Sequence, residues 1–177
     1  MQTTQTVETS SRPRRVLAAL GFGALCFGVG ALGALTMRGR GRPGGLWFRS
    51  LEKSPLQPPD RVFAPVWTVL YAAIAYSGYK IWKAPASPER TRALALWGAQ
   101  LALNGAWTPI FFGARRPVAA LADLLALDAA ATAYALSAAK VDRPAAVSVA
   151  PYLGWIGFAT YLNSHIVASN PRARLTP

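Results

Sequence analysis

The chain has 177 residues, of which 53% are apolar and 15% are charged, against about 25% charged in an ordinary soluble domain. The charged residues lie between long apolar stretches, which indicates an integral membrane protein and argues against a soluble enzyme. The net charge of +12 comes from basic residues that flank the apolar runs, as membrane anchors do, so nucleic-acid binding is not expected.

The single cysteine, Cys26, and the single histidine, His165, limit the chemistry of the chain. One cysteine forms no disulfide within the chain and no multi-cysteine metal site. One histidine excludes a His-rich metal site and disfavours a Ser-His-Asp triad. The sequence therefore predicts no metal site, no catalytic residue and no required cofactor.

Residues 1–15 are interpreted as a polar N-terminal tail that ends in Arg12, Arg14 and Arg15. The 22 residues at 16–37 carry no charge, and a helix of that length reaches about 33 Å, enough to cross the hydrocarbon core. A signal peptide is the alternative. The run is long for one, and no A-x-A cleavage site precedes the next basic stretch, so a retained span is favoured.

Four further apolar runs predict membrane spans at 62–82, 93–112, 118–139 and 145–167. The connections after residue 82 are short and rich in turn residues, and Pro117 and Pro144 suit the first turns of helices. The predicted fold class is an all-α membrane protein, a five transmembrane helix bundle. It occupies a membrane domain at 16–170, followed by a C-terminal tail at 171–177.

The connection between the first two spans is long. It begins with a basic, glycine-rich insert at 38–45 and continues through Trp47 and Phe48. Three prolines within five residues, at 55, 58 and 59, exclude a helix there. The two aromatic residues either anchor the connection at the lipid headgroups or cover the end of the bundle.

Polar residues within the third and fourth spans need partners. Gln100, Asn104 and Trp107 share one helical face. The two amides require either another helix or a ligand, and both alternatives stay open. In the fourth span Asp123 lies near the helix start, whereas Asp128 is deeper and needs a polar partner or a proton.

Small residues occur on helix faces of the third and fifth predicted spans, in the third as the pairs Ala95 and Ala99, Gly98 and Ala102, and Ala102 and Ala106. Gly98 and Ala102, at a spacing of four, suggest close helix packing, including packing between subunits. In the fifth span Trp155, Ala159 and Leu162 share a face. Ala159 leaves room beside the indole, either as a pocket wall or for tight helix packing.

Three blocks of sequence, taken in order, resemble the tryptophan-rich sensory protein/translocator protein family, known as TspO and formerly as peripheral-type benzodiazepine receptors. The blocks run from Trp47 to Tyr71, from Gln100 to Phe112 and from Pro151 to Asn163. The likeness covers about residues 46 to 170, and the first span fits by position. Ser54 places Pro55 one residue later than in the family's usual Lys-Pro pair. The cholesterol motif of the animal members has no counterpart after Asn163.

The resemblance implies a five-helix bundle, commonly dimeric, whose pocket opens toward the first connection and binds porphyrins such as protoporphyrin IX. Stacked indoles with a few oriented polar groups suit such planar apolar ligands. The resemblance assigns ligand binding to the matching positions Trp47, Phe48, Trp67, Asn104, Trp107, Trp155, Ala159 and Leu162, and to Gln100, a pocket-facing position that often holds a different polar residue in relatives.

The leading functional hypothesis is a tetrapyrrole-binding membrane protein that senses, sequesters or transports its ligand, with the lipid bilayer and a second copy of the chain as partners. Its ligand would be protoporphyrin IX or a heme-like porphyrin, whose propionates Arg49, Lys53 or Arg61 would bind. One alternative is a light- and oxygen-dependent porphyrin-degrading enzyme, with Trp67 and Trp155 as redox-active side chains. The other is a membrane scaffold without a small-molecule ligand. A bacterial membrane is favoured, and an organellar membrane is the alternative.

Overall fold

The structure is a computed structural model that describes residues 3–37 and 43–171, and within these ranges it is helical and contains no strand. The predicted all-α class is confirmed. The helices are α1 (Thr3–Met37), α2 (Pro43–Ser50), α3 (Asp60–Lys83), α4 (Pro88–Thr108), α5 (Pro117–Ala139), α6 (Arg143–Ser148) and α7 (Ala150–Ser169), and a π-helical turn, Pro109–Gly113, continues α4. Residues 38–42 of the basic insert and most of the C-terminal tail lie outside the described ranges.

Four of the five predicted spans are confirmed as helical segments long and apolar enough to cross a membrane. Within the described ranges these segments are Arg12–Gly33, Asp60–Lys83, Pro117–Ala139 and Arg143–Ser169. The remaining predicted span, 93–112, coincides with α4 and the π-helical turn. The hydropathy of α4 is lower because Glu89 and Arg92 lie in its first turns and Gln100 and Asn104 in its second half.

The long helix α1 begins at Thr3, so the segment predicted as a polar tail forms the first turns of the helix that carries the apolar run. Its small residues allow close packing against α3 and α4. A Cβ atom at Gly30 would lie 2.6 Å from Cε2 of Tyr71 in α3, and one at Gly105 in α4 would lie 3.2 Å from Val29. A Cβ atom at Gly30 would therefore have to displace the Tyr71 ring, so glycine at this position suits the close packing of α1 on α3.

Side-chain caps define the helix starts on the side of the bundle where α3 ends. The Ser87 hydroxyl accepts a hydrogen bond from the Arg90 amide at 3.1 Å, and Asp142 accepts one from the Ala145 amide at 2.9 Å. Lys80 Nζ lies 3.0 Å from Asp142 Oδ2 and ties α3 to the α5–α6 connection. Burial disfavours the charged carboxylate of Asp142, but the Ala145 amide and Lys80 outweigh it and lower the pKa of this group.

The predicted span 145–167 is a broken helix, with α6 ending and α7 beginning at Val149. Pro151 has no backbone N–H, so the carbonyl of Val147 lacks its usual partner four residues on. The helix resumes with a hydrogen bond of 3.1 Å from the Leu153 amide to the Val149 carbonyl. Pro117 and Pro144 lie in the first turns of α5 and α6, as predicted.

The apolar core lies between α1, α3, α4, α5, α6 and α7. Its fully buried side chains include Ile74, Leu127, Tyr134, Tyr152 and Ile156. Residues 51–59 of the first connection are not helical, which confirms the effect predicted from its prolines.

Candidate functional site

Five aromatic side chains meet where the first connection packs on the end of α4, and we call them the aromatic cluster. They are Trp47 and Phe48 of α2, Trp107 of α4, and Phe111 and Phe112 of the π-helical turn. Phe111 is 1% exposed and lies at the centre. Its ring centroid is 4.9 Å from those of Trp107 and Phe112, 5.5 Å from that of Trp47 and 5.9 Å from that of Phe48. Trp47 and Phe48 therefore cover the end of the bundle, one of the two predicted alternatives.

The π-helical turn places these rings on one side. Pro109 lacks an N–H, so the regular hydrogen-bond pattern of α4 stops there, and the Ala114 amide instead donates to the Pro109 carbonyl five residues back, at 2.8 Å. The wider turn changes the direction in which successive side chains point. As a result Phe111 and Phe112 both contact Trp107, with ring centroids 4.9 and 5.8 Å from the indole.

Lys53 fixes the chain that follows α2. Its Nζ donates to the carbonyls of Leu51 at 2.8 Å, Phe48 at 2.9 Å and Arg49 at 3.4 Å, and it lies 4.9 Å from the centroid of the Phe48 ring. All three ammonium donors of Lys53 thus have acceptors at the C-terminal end of α2. Three cations are predicted to face an acidic ligand group. Of these, Arg49 and Arg61 are exposed, whereas the ammonium group of Lys53 already donates to backbone carbonyls.

Asn170, directly after α7, holds the first connection by two hydrogen bonds. Its Oδ1 accepts from the Glu52 amide at 2.9 Å, and its Nδ2 donates to the Glu52 carbonyl at 2.9 Å. The Ser54 and Tyr161 hydroxyls, 3.3 Å apart, add a second link between the connection and α7. The C-terminal end of α7 therefore positions the residues that cover the bundle.

Replacing Asn170 with alanine is expected to loosen the first connection. Losing the side-chain hydrogen bonds costs about 1 kcal/mol, so trypsin cleavage after Arg49 or Lys53 should become about fivefold faster. The matched control is Ser164→Ala, because the Ser164 hydroxyl bonds to the Tyr161 carbonyl within α7. Equal cleavage rates for the two variants would show that Asn170 does not hold the connection.

A second group of side chains forms hydrogen bonds between three helices in the core, and we call it the polar network. It consists of Tyr71 of α3, Gln100 and Asn104 of α4, and Tyr152 of α7. Tyr152 donates to Gln100 Oε1 at 2.8 Å and accepts from Asn104 Nδ2 at 3.3 Å. Tyr71 donates to Asn104 Oδ1 at 2.8 Å. Both amides predicted to need partners thus find them on other helices.

The hydroxyl of Tyr152 joins both amides, so its removal should be costly. In Tyr152→Phe, Gln100 Oε1 and Asn104 Nδ2 would lose a partner in a buried setting. We expect the free energy of unfolding to fall by about 1–2 kcal/mol, measured by thermal or denaturant unfolding in detergent. Tyr76→Phe is the control, since Tyr76 is 48% exposed. An equal stability of both variants would mean that the network contributes nothing to the fold.

The remaining predicted site residues lie on α3 and α7. Trp67 packs between Tyr71 and Tyr152, with ring centroids 5.1 and 6.5 Å away. Trp155 contacts Phe63 of α3 edge-on at 5.8 Å. Trp67, Trp155 and Ala159 all pack against the apolar core, and Leu162 is buried in α7.

Trp107 connects these two regions. Its indole stacks on Phe111 in the aromatic cluster, and the same side chain packs against the core that contains Tyr71 and Tyr152. Its Nε1 atom is buried and has no hydrogen-bond partner among the described residues. A buried donor without an acceptor costs about 1–3 kcal/mol, so an acceptor placed beside Trp107 would be bound favourably.

The two membrane carboxylates behave differently. Asp128 Oδ2 accepts a hydrogen bond of 2.7 Å from the Thr160 hydroxyl, which confirms the predicted polar partner. Asp123 Oδ2 is buried and without a partner among the described residues. Within residues 3–37 and 43–171, no group of three or more His, Cys, Asp or Glu side chains is arranged to hold a metal ion.

Sequence reasoning passed over Tyr71 and Tyr152 as individual site residues, although both lie within the quoted blocks. A signal for them exists in the spacing. Tyr71 follows Trp67 by four residues, and Tyr152 precedes Trp155 by three, so each extends a helix face already identified. Extending the two faces by one turn would have found the hydroxyl partners of Gln100 and Asn104.

Comparison with known proteins identifies the family to which the chain is similar. The model of the TspO/MBR family matches residues 22–168. The Translocator protein of Bos taurus is 43% identical over 154 residues, which cover 86% of this chain and 89% of that protein. The Tryptophan-rich protein TspO of Chlorobaculum tepidum is 34% identical over 151 residues, covering 83% and 92%.

A third relative, the Tryptophan-rich sensory protein of Cereibacter sphaeroides, is 38% identical over 133 residues, which cover 72% of this chain and 81% of that protein. The resemblance seen in the three sequence blocks is thereby confirmed. Together with the four apolar helices, these matches show that the chain is a multi-pass integral membrane protein and belongs to the TspO/MBR family.

Proposed function

We propose that this protein binds a porphyrin, such as protoporphyrin IX, beside Trp107, and that it senses, sequesters or transports this ligand. The observation that carries the proposal is the buried Nε1 donor of Trp107, which has no acceptor among the described residues. Trp107 belongs to the aromatic cluster and also packs against the core that contains Tyr71 and Tyr152. A porphyrin offers acceptors in its carboxylates and its unprotonated ring nitrogens, together with a wide apolar face for stacking.

Aromatic side chains from separate elements supply the surfaces that such a ligand needs. Trp47 and Phe48 of the first connection cover the end of the bundle. Trp67 belongs to α3 and Trp155 to α7, and both add indole rings to the inner faces of these helices. Ala159, one turn beyond Trp155, adds only a small side chain to this face of α7. The paired side chains of the polar network stiffen the wall on which these rings rest.

The propionate groups of the porphyrin would face the exposed guanidinium groups of Arg49 and Arg61. Lys53 is a weaker candidate because its Nζ donates to three backbone carbonyls. Its role is to hold the turn after α2 so that Phe48 stays against Phe112, whose ring centroid is 5.3 Å away.

The same proposal includes a fifth membrane span formed by α4 together with the π-helical turn, at 93–112 as predicted. The polar groups that lower the hydropathy of α4 support this placement, since Gln100 is 0% exposed and Asn104 is 7% exposed. Their hydrogen bonds to Tyr71 and Tyr152 satisfy them inside the bundle, as a membrane interior requires.

We also propose that two copies associate through the outer face of α4. Ala95, Gly98, Ala99 and Ala102 are exposed there, and a Cβ atom at Gly98 would meet no atom within 4 Å. Small residues at this spacing let two membrane helices approach closely. The mass of the protein in detergent, measured by light scattering with the detergent contribution subtracted, should correspond to two chains; a single chain would contradict this.

The proposed function is tested by titrating the detergent-purified protein with protoporphyrin IX while following the Soret absorbance and the tryptophan emission. Binding should saturate at micromolar ligand or below, with about one porphyrin per chain. Protein-free micelles are the control. A linear response equal to that of the micelles would mean that porphyrin merely partitions into detergent, and the proposal would fail.

A scaffold without a small-molecule ligand is the second candidate. The mutual pairing of Gln100, Asn104, Tyr71 and Tyr152 favours it, because helix packing alone satisfies these groups. The titration separates the two candidates, since a scaffold gives no saturable binding. Extraction of the porphyrin after illumination in oxygen separates a binder, which returns its ligand unchanged apart from background photobleaching, from a porphyrin-degrading enzyme.

A further inference from the structure

A pocket of about 270 Å³ lies at the end of the bundle opposite the aromatic cluster. It is lined by Arg14 and Arg15 of α1, Trp82 and Lys83 at the end of α3, and Arg90 in the first turn of α4, and we call it the basic pocket. Because α3 has 24 residues, about 36 Å separates this pocket from the start of α3 beside the first connection.

The basic pocket concentrates positive charge. Four of its five lining residues are cations, and among the side chains that the structure describes none of the four forms an ion pair with a carboxylate. The neighbouring Lys80 is different, since it is paired with Asp142. Bringing four cations together is unfavourable unless an anion joins them, so the pocket favours a group with one or two negative charges.

Contacts with three neighbouring side chains organise the pocket around Trp82. The Nε and Nη2 atoms of Arg90 donate to the Trp82 carbonyl at 3.0 and 2.7 Å, which holds this guanidinium in place. The Cζ atom of Arg14 lies 6.0 Å from the centroid of the indole ring, within range of a cation–π contact. The indole itself stacks on Tyr79, with ring centroids 6.2 Å apart.

The position of the pocket identifies the kind of anion. Arg14 and Arg15 directly precede the apolar run of α1, and Lys83 closes the apolar run of α3, so the pocket lies where these helices leave the hydrocarbon core. Tryptophan and tyrosine are typical of this level, and guanidinium groups bind phosphate oxygens in pairs. We infer that the basic pocket binds the phosphate headgroup of an anionic phospholipid.

The test uses the full-length protein in nanodiscs of phosphatidylcholine with a minor fraction of phosphatidic acid, and counts the retained phosphatidic acid by native mass spectrometry. Arg14→Gln/Arg15→Gln removes two exposed cations from the pocket. Lys140→Gln/Arg143→Gln removes two exposed cations near Asp142, on the same side of the bundle and outside the pocket. Circular dichroism and the thermal midpoint show whether each variant is folded. If the Arg14→Gln/Arg15→Gln variant unfolds, lipid retention is measured for Arg15→Gln alone.

We expect wild-type protein and the Lys140/Arg143 variant to retain phosphatidic acid, and the Arg14/Arg15 variant to bind it at least about tenfold more weakly. If both variants lost phosphatidic acid binding to the same extent, general surface charge would explain the binding, and the proposal would be overturned. Displacement of the lipid by millimolar glycerol 3-phosphate would identify a soluble phosphate ligand and overturn the assignment to a lipid.

Discussion

Replacing Phe111 with alanine is expected to lower the free energy of unfolding by about 3 kcal/mol, the cost of deleting a fully buried aromatic ring. Phe111 is 1% exposed, and its ring contacts Trp47, Phe48, Trp107 and Phe112. Removing it leaves a cavity in the centre of the aromatic cluster. The thermal midpoint in detergent should fall, and porphyrin binding should weaken because Trp47 and Phe48 lose their support.

The matched control is Phe27→Ala in α1. Phe27 is 45% exposed, and its ring contact is with Tyr71, 6.2 Å away, so its loss should cost less than about 1 kcal/mol. If both variants unfold at the same midpoint, the packing around Phe111 would not be the source of stability, and the first connection would be held by other contacts.

Replacing Gly78 with alanine is the second change with a large expected effect. A Cβ atom there would lie 2.5 Å from Trp97 Nε1 and 2.8 Å from Phe22 Cδ1. Trp97 is 6% exposed and donates through Nε1 to the Ile74 carbonyl at 3.0 Å, so it cannot move aside without losing that bond. Overpacking of this kind costs about 1–3 kcal/mol, and the thermal midpoint should fall accordingly.

Gly21→Ala provides the comparison, since a Cβ atom at Gly21 in α1 would meet nothing within 4 Å. Alanine is the better helix former, so this variant should be as stable as the wild type or more stable by up to about 1 kcal/mol. A rise in stability for both variants would mean that helix propensity outweighs the contact between Gly78 and Trp97.

Long apolar runs located four spans, because a membrane interior accepts long helices of mostly apolar residues and little else. Three features of the fold depend on information that hydropathy does not carry. The break at Val149 follows from the missing N–H of Pro151, and the helical start of α1 includes polar residues that carry no hydropathy signal. The π-helical turn at Pro109–Gly113 begins at Pro109, whose missing N–H ends the regular hydrogen-bond pattern of α4.

Shared helix faces indicated which site residues lie together, but not their partners. Spacing placed Gln100 and Asn104 on one face, and the structure shows that both bond to Tyr152, 52 and 48 residues further along the chain. Lys53, one of the three cations suggested for binding propionates, caps the end of α2, because its side chain reaches backbone carbonyls two to five residues away. The position of Asn170 against Glu52 likewise depends on the closed bundle.

The most direct test of the account is the porphyrin affinity of Trp107→Phe compared with that of Trp82→Phe. Phenylalanine keeps a ring against Phe111 and removes the Nε1 donor, while Trp82 lies at the opposite end of the bundle beside the basic pocket. The account predicts that Trp107→Phe binds protoporphyrin IX about three- to tenfold more weakly than wild type, the value of one hydrogen bond, with Trp82→Phe unchanged. Equal affinities of both variants and the wild type would contradict a binding site at Trp107.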